Sequence, residues 1–504
     1  MNRDEILDRV RKRTEPWDIV IIGGGATGVG CAVDAASRNL DVLLLEQHDF
    51  GKGTSSRSTK LIHGGVRYLA RGDIALVREA LKERGILFKN APHVVRCQSF
   101  IVPCYSLWKK IFYGCGLKIY DLLSGKYSFG KSRILSKSET IEYLPTVKTE
   151  GLAGGVLYYD GQFDDTRLLI DLVATAHEQG GAVLNYAKVS RLIKDTNGKI
   201  SGVEFEDVLS GETFAVSTKA VINATGAFCD AVRTMSDDAS KPILTLSQGI
   251  HLVFDRKFLP GESALMIPKT SDGRVLFCIP WHGHTLMGTT DTPINTAVLE
   301  PRAIDSEIDF ILKTAAAYLE QKPARTDILS VFAGIRPLVK SGGSKNTASL
   351  SRGHTIAIDA SNLLTITGGK WTTYRRMAED SVDQASKLAG LNAKPSETRT
   401  LKIVGTTRNS DIKNETLHHD LSYTRDDVIR AVRRELAQTV EDVLARRTRA
   451  LFLNAKAAIK LAPTVAGIMA ELLGKDEKWA AEQVENFKYM AVGYCKNSST
   501  DGHG

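Results

Sequence analysis

Three features of this 504-residue sequence predict an α/β fold, with a Rossmann-like nucleotide-binding domain, an antiparallel-sheet domain and a C-terminal all-helical domain. An apolar strand runs directly into a glycine turn in Asp18-Ile-Val-Ile-Ile-Gly-Gly-Gly-Ala-Thr-Gly28. Alternating stretches such as His251-Leu-Val-Phe and Arg274-Val-Leu-Phe-Cys-Ile occupy residues 241–345 and read as antiparallel strands. A helical period takes over after Pro395.

The first element carries chemistry. Gly23 permits a tight turn, Gly25 lets backbone approach a pyrophosphate, and Gly28 allows strand and helix to pack closely. The helix that follows turns its unpaired N–H groups and positive dipole end toward the phosphates. Val42 to Leu45 is the next buried strand, and Glu46 ends it about 20 residues past the turn, where a carboxylate accepts from ribose hydroxyls and repels a 2′-phosphate. That favours FAD or NAD over NADP. Two further buried-type strands, Lys219-Ala-Val-Ile-Asn-Ala-Thr-Gly226 and Leu363-Leu-Thr-Ile-Thr-Gly-Gly369, also end in glycine, so one sheet is expected from distant segments. The nucleotide domain is therefore expected to be discontinuous, over 1–100, 155–240 and 346–395, with an insertion at 101–154, a substrate sheet at 241–345 and a helical cap at 400–504. Within the cap, Thr424-Arg-Asp-Asp427 has the form of a capping box. Val428, Ile429, Val432, Leu436, Val440, Val443 and Leu444 follow it at helical spacing. The tail 496–504 reads as disordered.

Composition narrows the class. The chain is 43% hydrophobic and 25% charged, and its 66 Lys and Arg against 58 Asp and Glu leave a modest +8. That permits an anionic substrate or lipid surface, while the scattered basic residues and absent zinc-finger spacing argue against nucleic acid. Seven cysteines, none in a C-x-x-C pair, argue against a metal site or disulfide framework and fit a reducing compartment. No run of eighteen apolar residues exists, and the charged start resembles neither a signal peptide nor a transit peptide.

The segment Gly53-Thr-Ser-Ser-Arg-Ser-Thr-Lys-Leu-Ile-His-Gly-Gly-Val-Arg-Tyr68 resembles the FAD-dependent glycerol-3-phosphate dehydrogenases. The likeness continues through Asn223-Ala-Thr-Gly226, Ser247-Gln-Gly-Ile-His251, Gly288-Thr-Thr-Asp291, Gly334-Ile-Arg-Pro-Leu338 and Gly368-Gly-Lys-Trp-Thr-Thr-Tyr374. It implies the D-amino-acid oxidase fold, non-covalent FAD, and oxidation of glycerol 3-phosphate to dihydroxyacetone phosphate with electrons passed to quinone. Gln248, where the family often has a basic residue, and Trp371, in place of a smaller aliphatic one, depart from common forms.

The residues support that chemistry independently. A phosphate monoester needs clustered cations able to form charge-assisted hydrogen bonds, and Arg67, Arg336 and Lys370 are the candidates, with Tyr68 and Thr373 beside them. Oxidising a secondary alcohol needs a base, for which His251 and His63 are suited by their titration range. His251 is expected as base or hydroxyl ligand and His63 as flavin or substrate positioner, with Arg336 or Lys370 as alternative stabilisers of the developing alkoxide. Thr54, Ser55, Ser56, His63, Gly64, Ala224, Gly226, Gly368, Gly369 and Lys370 complete the expected cofactor contacts, and no metal ligand is expected. Residues 370–373 are expected to open a helix facing the flavin.

Leu107, Trp108, Ile111, Phe112, Cys115, Ile119, Leu122 and Leu123 fall on one helical arc. With the family resemblance, this predicts peripheral binding to an anionic membrane at the cytoplasmic face; a homodimer is left open. The cluster Arg446, Arg447 and Arg449 reads as a solvated helix face. Three rival readings are an oxygen-using glycerol-3-phosphate oxidase, an amine or amino-acid oxidase of the same fold, and a flavin-stabilised scaffold. Oxidases of this kind carry a long insertion between the Arg-Pro and Gly-Gly-Lys segments, so the resemblance, with only about thirty residues between Arg336 and Gly368 here, favours the dehydrogenase.

Overall fold

The computed structural model describes residues 1–69, 72–340, 353–405 and 415–495, except for the side chain of Arg67. The tail expected to be disordered lies outside the described residues.

Trp17–Ile22 forms the centre of an eight-stranded sheet because its residues are apolar on both faces, as a strand covered by helices must be. It pairs in parallel with Val42–Leu45 on one side and Thr213–Asn223 on the other, and Leu363–Gly368 adds to the latter. The glycine-ended strands therefore stand side by side, as expected. Helix Ala26–Ser37 packs on them through small residues: a Cβ at Gly28 would lie 1.9 Å from the Gly23 carbonyl oxygen, and one at Gly30 would meet the Tyr374 ring at 2.9 Å.

The second sheet has ten strands and is mostly antiparallel. Leu244–Asp255 and Ile328–Val339 pair along nearly their whole lengths, and Leu276–Trp281 and His284–Gly288 extend the sheet. It also takes in Leu61–Ile62, Val95–Cys104 and Gly154–Phe163, from segments assigned in sequence to the nucleotide domain and, for residues 101–104 and 154, to the insertion. Gly154–Phe163 pairs with Val95–Cys104 from end to end, and that pairing carries it into the second sheet. The chain thus crosses between the two sheets several times, and the space between them is walled by both.

A two-stranded hairpin, Thr416–His418 with Leu421–Thr424, precedes the C-terminal helices. The capping box forms, with the Asp427 carboxylate accepting from the Thr424 N–H. The long helix expected behind it does not: Arg425–Arg434 ends where Leu436 adopts a left-handed φ of 58°. Two side chains from elsewhere take the carbonyls a continuing helix would use. Arg447 donates to Glu435 O at 2.7 Å, and Asn185 donates to Leu436 O at 2.8 Å. Helices Ala455–Leu473 and Glu477–Ala491 complete the region.

The arginine cluster is the clearest correction. Arg446, Arg447 and Arg449 are buried. Arg447 grips Asp49 with two nitrogens at 2.7 and 2.9 Å, Arg446 reaches the same carboxylate at 2.5 Å, and Arg449 donates to Ser56 O at 2.9 Å. They face Asp49 and the 54–60 loop because these anionic and carbonyl partners lie on the nucleotide half, against which the helices dock. Burial would raise the Asp49 carboxyl, but Arg447 and Arg446 outweigh it and hold it well below its ordinary range.

The amphipathic helix forms at Leu107–Ser124, where Leu117 and Tyr120 pack inward. The other face lies open, with Trp108 75% and Leu122 80% exposed and Leu107, Ile111, Phe112, Cys115 and Ile119 beside them. Leu123 is half-buried.

Candidate active site

A cavity of about 720 Å³ runs from the glycine turn to the antiparallel sheet. At the nucleotide end it is lined by Gly23, Gly25, Glu46, Thr54, Ser55, Ala224 and Gly226. Gly23 has φ 108°, and a Cβ there would lie 2.8 Å from Ala224 O, so glycine is required. Glu46 accepts from the Gly24 N–H at 2.6 Å and the His48 N–H at 2.8 Å. Burial raises its pKa, with these two amide bonds opposing. The same carboxylate borders the cavity where an adenosine ribose would lie. The cradle that only glycine leaves open, with an acid at its rim, fits the ADP half of FAD.

Gly28, Gly64 and Ser56 line other surfaces. Gly28 packs on Gly23, and Gly64 is closed in by Leu81 and the Tyr120 hydroxyl. The Ser56 carbonyl accepts from Lys60 and Arg449 on the side away from the cavity. These residues shape the cradle without facing it.

At the far end, strand register dictates the chemistry. Ser247 lies opposite Arg336, Gly249 opposite Gly334 and His251 opposite Phe332, so these six residues share one face of the sheet. Glycine clears that face. A Cβ at Gly249 would sit 2.2 Å from an Arg336 guanidinium nitrogen, and one at Gly288 would sit 2.3 Å from the His251 ring. Arg336 is fixed above Gly249, donating to Thr290 O at 2.9 Å, Thr289 Oγ1 at 3.1 Å and Gln248 O at 3.3 Å.

His251 is buried, stacked on Phe332 with centroids 4.9 Å apart, and bonded through Nε2 to Thr59 Oγ1 at 2.9 Å. Burial, then Lys60, then Arg336 drive its pKa well below the ordinary 6.5, so the ring is neutral at physiological pH. Lys60 sits behind Thr59, with Nζ fully buried and 2.6 Å from Asp165. Burial pushes Lys60 down to about 7, opposed by Asp165 and reinforced by Arg449.

Lys370 reaches the cavity from Gly368-Gly369, both at positive φ, and its Nζ lies 3.9 Å above the Tyr68 ring. His63, Tyr68, Gly368 and Gly369 line the same space. The expected helix start appears as a tight turn, Trp371–Thr373, leading into Tyr374–Leu388. Thr373 differs from expectation: its hydroxyl turns back to Lys370 O at 3.2 Å, and it is Thr372 that lines the cavity. Gln248 is committed to Arg302 O and Glu307, away from any phosphate. The Arg67 side chain lies outside the described residues.

Sequence reasoning passed over three cavity residues, Thr59, Arg274 and Asp291. Arg274 is 2.5 Å from Asp272 and 3.9 Å from Asp291, and Asp291 is 3.4 Å from Arg336. Asp291 and Thr59 stood inside motifs already singled out, but nothing local marked either one as a cavity residue. Arg274 had no signal beyond its place before an alternating strand.

Residues 18–375 match the family described as FAD dependent oxidoreductase, and residues 365–480 match the C-terminal domain of alpha-glycerophosphate oxidase. A mitochondrial glycerol-3-phosphate dehydrogenase of Rattus norvegicus is 38% identical over 543 residues, covering 96% of this chain and 74% of the relative. One of Arabidopsis thaliana is 46% identical over 408 residues, 78% of this chain and 64% of the relative. Among solved structures, the glycerol-3-phosphate dehydrogenase from Bacillus halodurans complexed with FAD aligns with a TM-score of 0.79 at 29% identity over 99% of both chains.

Proposed function

Since the chain belongs to the FAD-dependent glycerol-3-phosphate dehydrogenases, we propose that it oxidises sn-glycerol 3-phosphate to dihydroxyacetone phosphate by hydride transfer to FAD N5 and passes the electrons to a membrane quinone. The observation that carries the reading is the glycine-cleared sheet face, which sets a neutral His251 and an anchored Arg336 in one cavity with the dinucleotide cradle.

Bound FAD supplies the two-electron acceptor; the chain's own residues bind, orient and deprotonate the alcohol. Arg336 and Lys370, joined by Arg274 and the sequence-assigned Arg67, form the cationic set for the phosphate, and charge-assisted hydrogen bonds hold a dianion there against water. Tyr68 lies under the Lys370 ammonium and restricts where that charge points. His251, kept neutral by burial, takes up the hydroxyl proton as the carbon is oxidised. His63 positions flavin or substrate from the opposite loop, and the Trp371–Thr373 turn presents a helix start toward the flavin.

Among the described residues no helix is long and apolar enough to cross a membrane. The open face of Leu107–Ser124, with exposed Lys109 and Lys118 on the same helix, suits an interfacial position on anionic lipid at the cytoplasmic face, within reach of a quinone.

The test is the visible spectrum of the yellow protein under strict anaerobiosis. Glycerol 3-phosphate is expected to bleach the flavin band, and a soluble quinone to restore it. An unchanged spectrum with FAD bound overturns the substrate assignment. Restoration by oxygen with peroxide release, and not by quinone, overturns the acceptor.

A further inference from the structure

The two nitrogens of His251 are not equally available. Nδ1 is fully buried and has no hydrogen-bond partner among the described residues. Nε2 is engaged by Thr59 Oγ1 at 2.9 Å. Thr59 and His251 both border the cavity, but Thr59 is half-exposed to it while His251 is only 2% exposed. Among the described residues the hydrogen bond that links His251 to a more exposed cavity group runs through the Thr59 hydroxyl. A hydroxyl suits this task, because it can donate to Nε2 with its hydrogen while its lone pairs accept from a second group.

The chain holds Thr59 at that point with unusual care. Its two neighbours are tied to the same carboxylate: Ser58 donates to Asp165 Oδ2 through N–H at 3.2 Å and Oγ at 2.7 Å, and Lys60 donates to that oxygen through Nζ at 2.6 Å. Arg449 steadies the other oxygen of Asp165 at 3.3 Å and reaches Ser56 O at 2.9 Å. Lys60 also adopts a left-handed φ of 62°, which turns the backbone sharply after Thr59. The Ser56–Lys60 segment, Asp165 and the C-terminal Arg449 thus form one buried frame whose product is the position of a single hydroxyl.

We propose that Thr59 is a catalytic proton relay: its Oγ1 receives the proton of the substrate's secondary hydroxyl while its own proton passes to His251 Nε2. This rests on the substrate reading given above. The balance is complete. The substrate O–H and C–H bonds break, the carbon–oxygen bond becomes a ketone, the hydride leaves with its electron pair to oxidised FAD, and the proton ends on His251 as imidazolium. Thr59 begins and ends the step as a neutral alcohol.

The experiment compares the FAD-loaded wild type with Thr59→Ser, which keeps the hydroxyl, and Thr59→Val, which keeps the shape. Anaerobic flavin bleaching by glycerol 3-phosphate is followed at saturating substrate, alongside the half-saturating concentration. Thr59→Ser is expected within about threefold of wild type, and Thr59→Val about 10²-fold slower or more at an unchanged half-saturating concentration. A Thr59→Val rate within threefold of wild type, or a Thr59→Ser rate as slow as Thr59→Val, overturns the relay.

Two further readouts sharpen the test, and the first needs only the wild type, so it stays decisive if the valine variant folds poorly. The bleaching rate of the wild type in mixtures of H₂O and D₂O is expected to bow downward, because two protons move together; a straight line overturns the proposal. The ¹⁵N resonance of His251 Nε2 in substrate-free protein is expected to differ between the wild type and Thr59→Val and to match between the wild type and Thr59→Ser; no difference removes the hydrogen bond on which the relay depends. If glycerol 3-phosphate does not bleach the wild type at all, the substrate reading falls, and the ¹⁵N comparison still decides the Thr59–His251 contact.

Discussion

Replacing Gly249 by alanine tests the claim that glycine clears the catalytic face for Arg336. The added Cβ would lie 2.2 and 2.6 Å from the two terminal guanidinium nitrogens and 2.7 Å from Cζ. Ordinary contact is restored only if the guanidinium retreats by about 1 Å or more. That retreat stretches its bonds to Thr290 O and Thr289 Oγ1, now 2.9 and 3.1 Å, to or beyond hydrogen-bonding range. The obstruction is the mobile end of a long side chain, so the fold should lose no more than about 1–2 kcal/mol and retain FAD. Catalysis should suffer more. A displacement of about 1 Å at a positioning group costs on the order of 10²-fold, or about 2.7 kcal/mol of transition-state stabilisation. The assay is kcat/KM for glycerol 3-phosphate with a soluble quinone, beside FAD content from absorbance. A variant that holds FAD and keeps kcat/KM within threefold of wild type refutes the reasoning. One that loses FAD refutes the claim that only the arginine tip is displaced.

Other expectations follow from the same contacts. Because His251 is held well below 6.5, the acid limb of the flavin-reduction rate should fall below pH 6.5; removing a neighbouring cation by Lys60→Met should raise the His251 pKa and move that limb upward, which stopped-flow across pH 5–8 would read. Asp49→Asn leaves Arg446 and Arg447 buried with a partner missing and should cost about 3–5 kcal/mol in urea unfolding. Since the native Asp49 pKa is depressed, its contribution is present above the ordinary 3.8 and lost as pH falls below it, so the gap between variant and wild type should close only in acid. Gly467→Ala, at an exposed helical position with nothing within 4 Å, should stabilise the protein by about 0.5–1 kcal/mol.

The parts of the site that were legible in sequence were those whose signals are local. The turn at Gly23 to Gly28 announces itself through strand, glycine and helix in immediate succession, and Glu46 follows at a fixed distance. His251 and Arg336 were visible inside motifs, but their shared face was not, because it depends on the pairing of strands that lie over eighty residues apart. Thr59 illustrates the same limit: a threonine in a serine-rich loop gives no sign that it will meet a histidine 192 residues later. The arginine cluster failed for another reason. Three arginines on a helical pattern look alike whether they face water or a buried carboxylate, and only the docking of the helices on Asp49 decides. Likewise the apolar arc of Leu107–Ser124 was readable, whereas its open exposure depends on which neighbours arrive.

The crossing of the chain between its two sheets also sets the order in which the enzyme is born. The dinucleotide turn emerges first, near residue 23, but the wall opposite it waits for Ile328–Val339 and the Gly368-Gly369 turn. At translation rates of about 5–20 residues per second, roughly 17–70 s separate the emergence of that turn from the emergence of a complete flavin pocket. Until then the apolar residues of the first strands lack the wall that later covers them, which is the kind of exposure that makes incomplete chains prone to aggregate. Arg446, Arg447 and Arg449 leave the ribosome later still, so the ion pairs with Asp49 and Asp165 form only after every strand of the pocket has been made. A chain cut short before those arginines would hold every motif of the active site yet lack the latch that closes it.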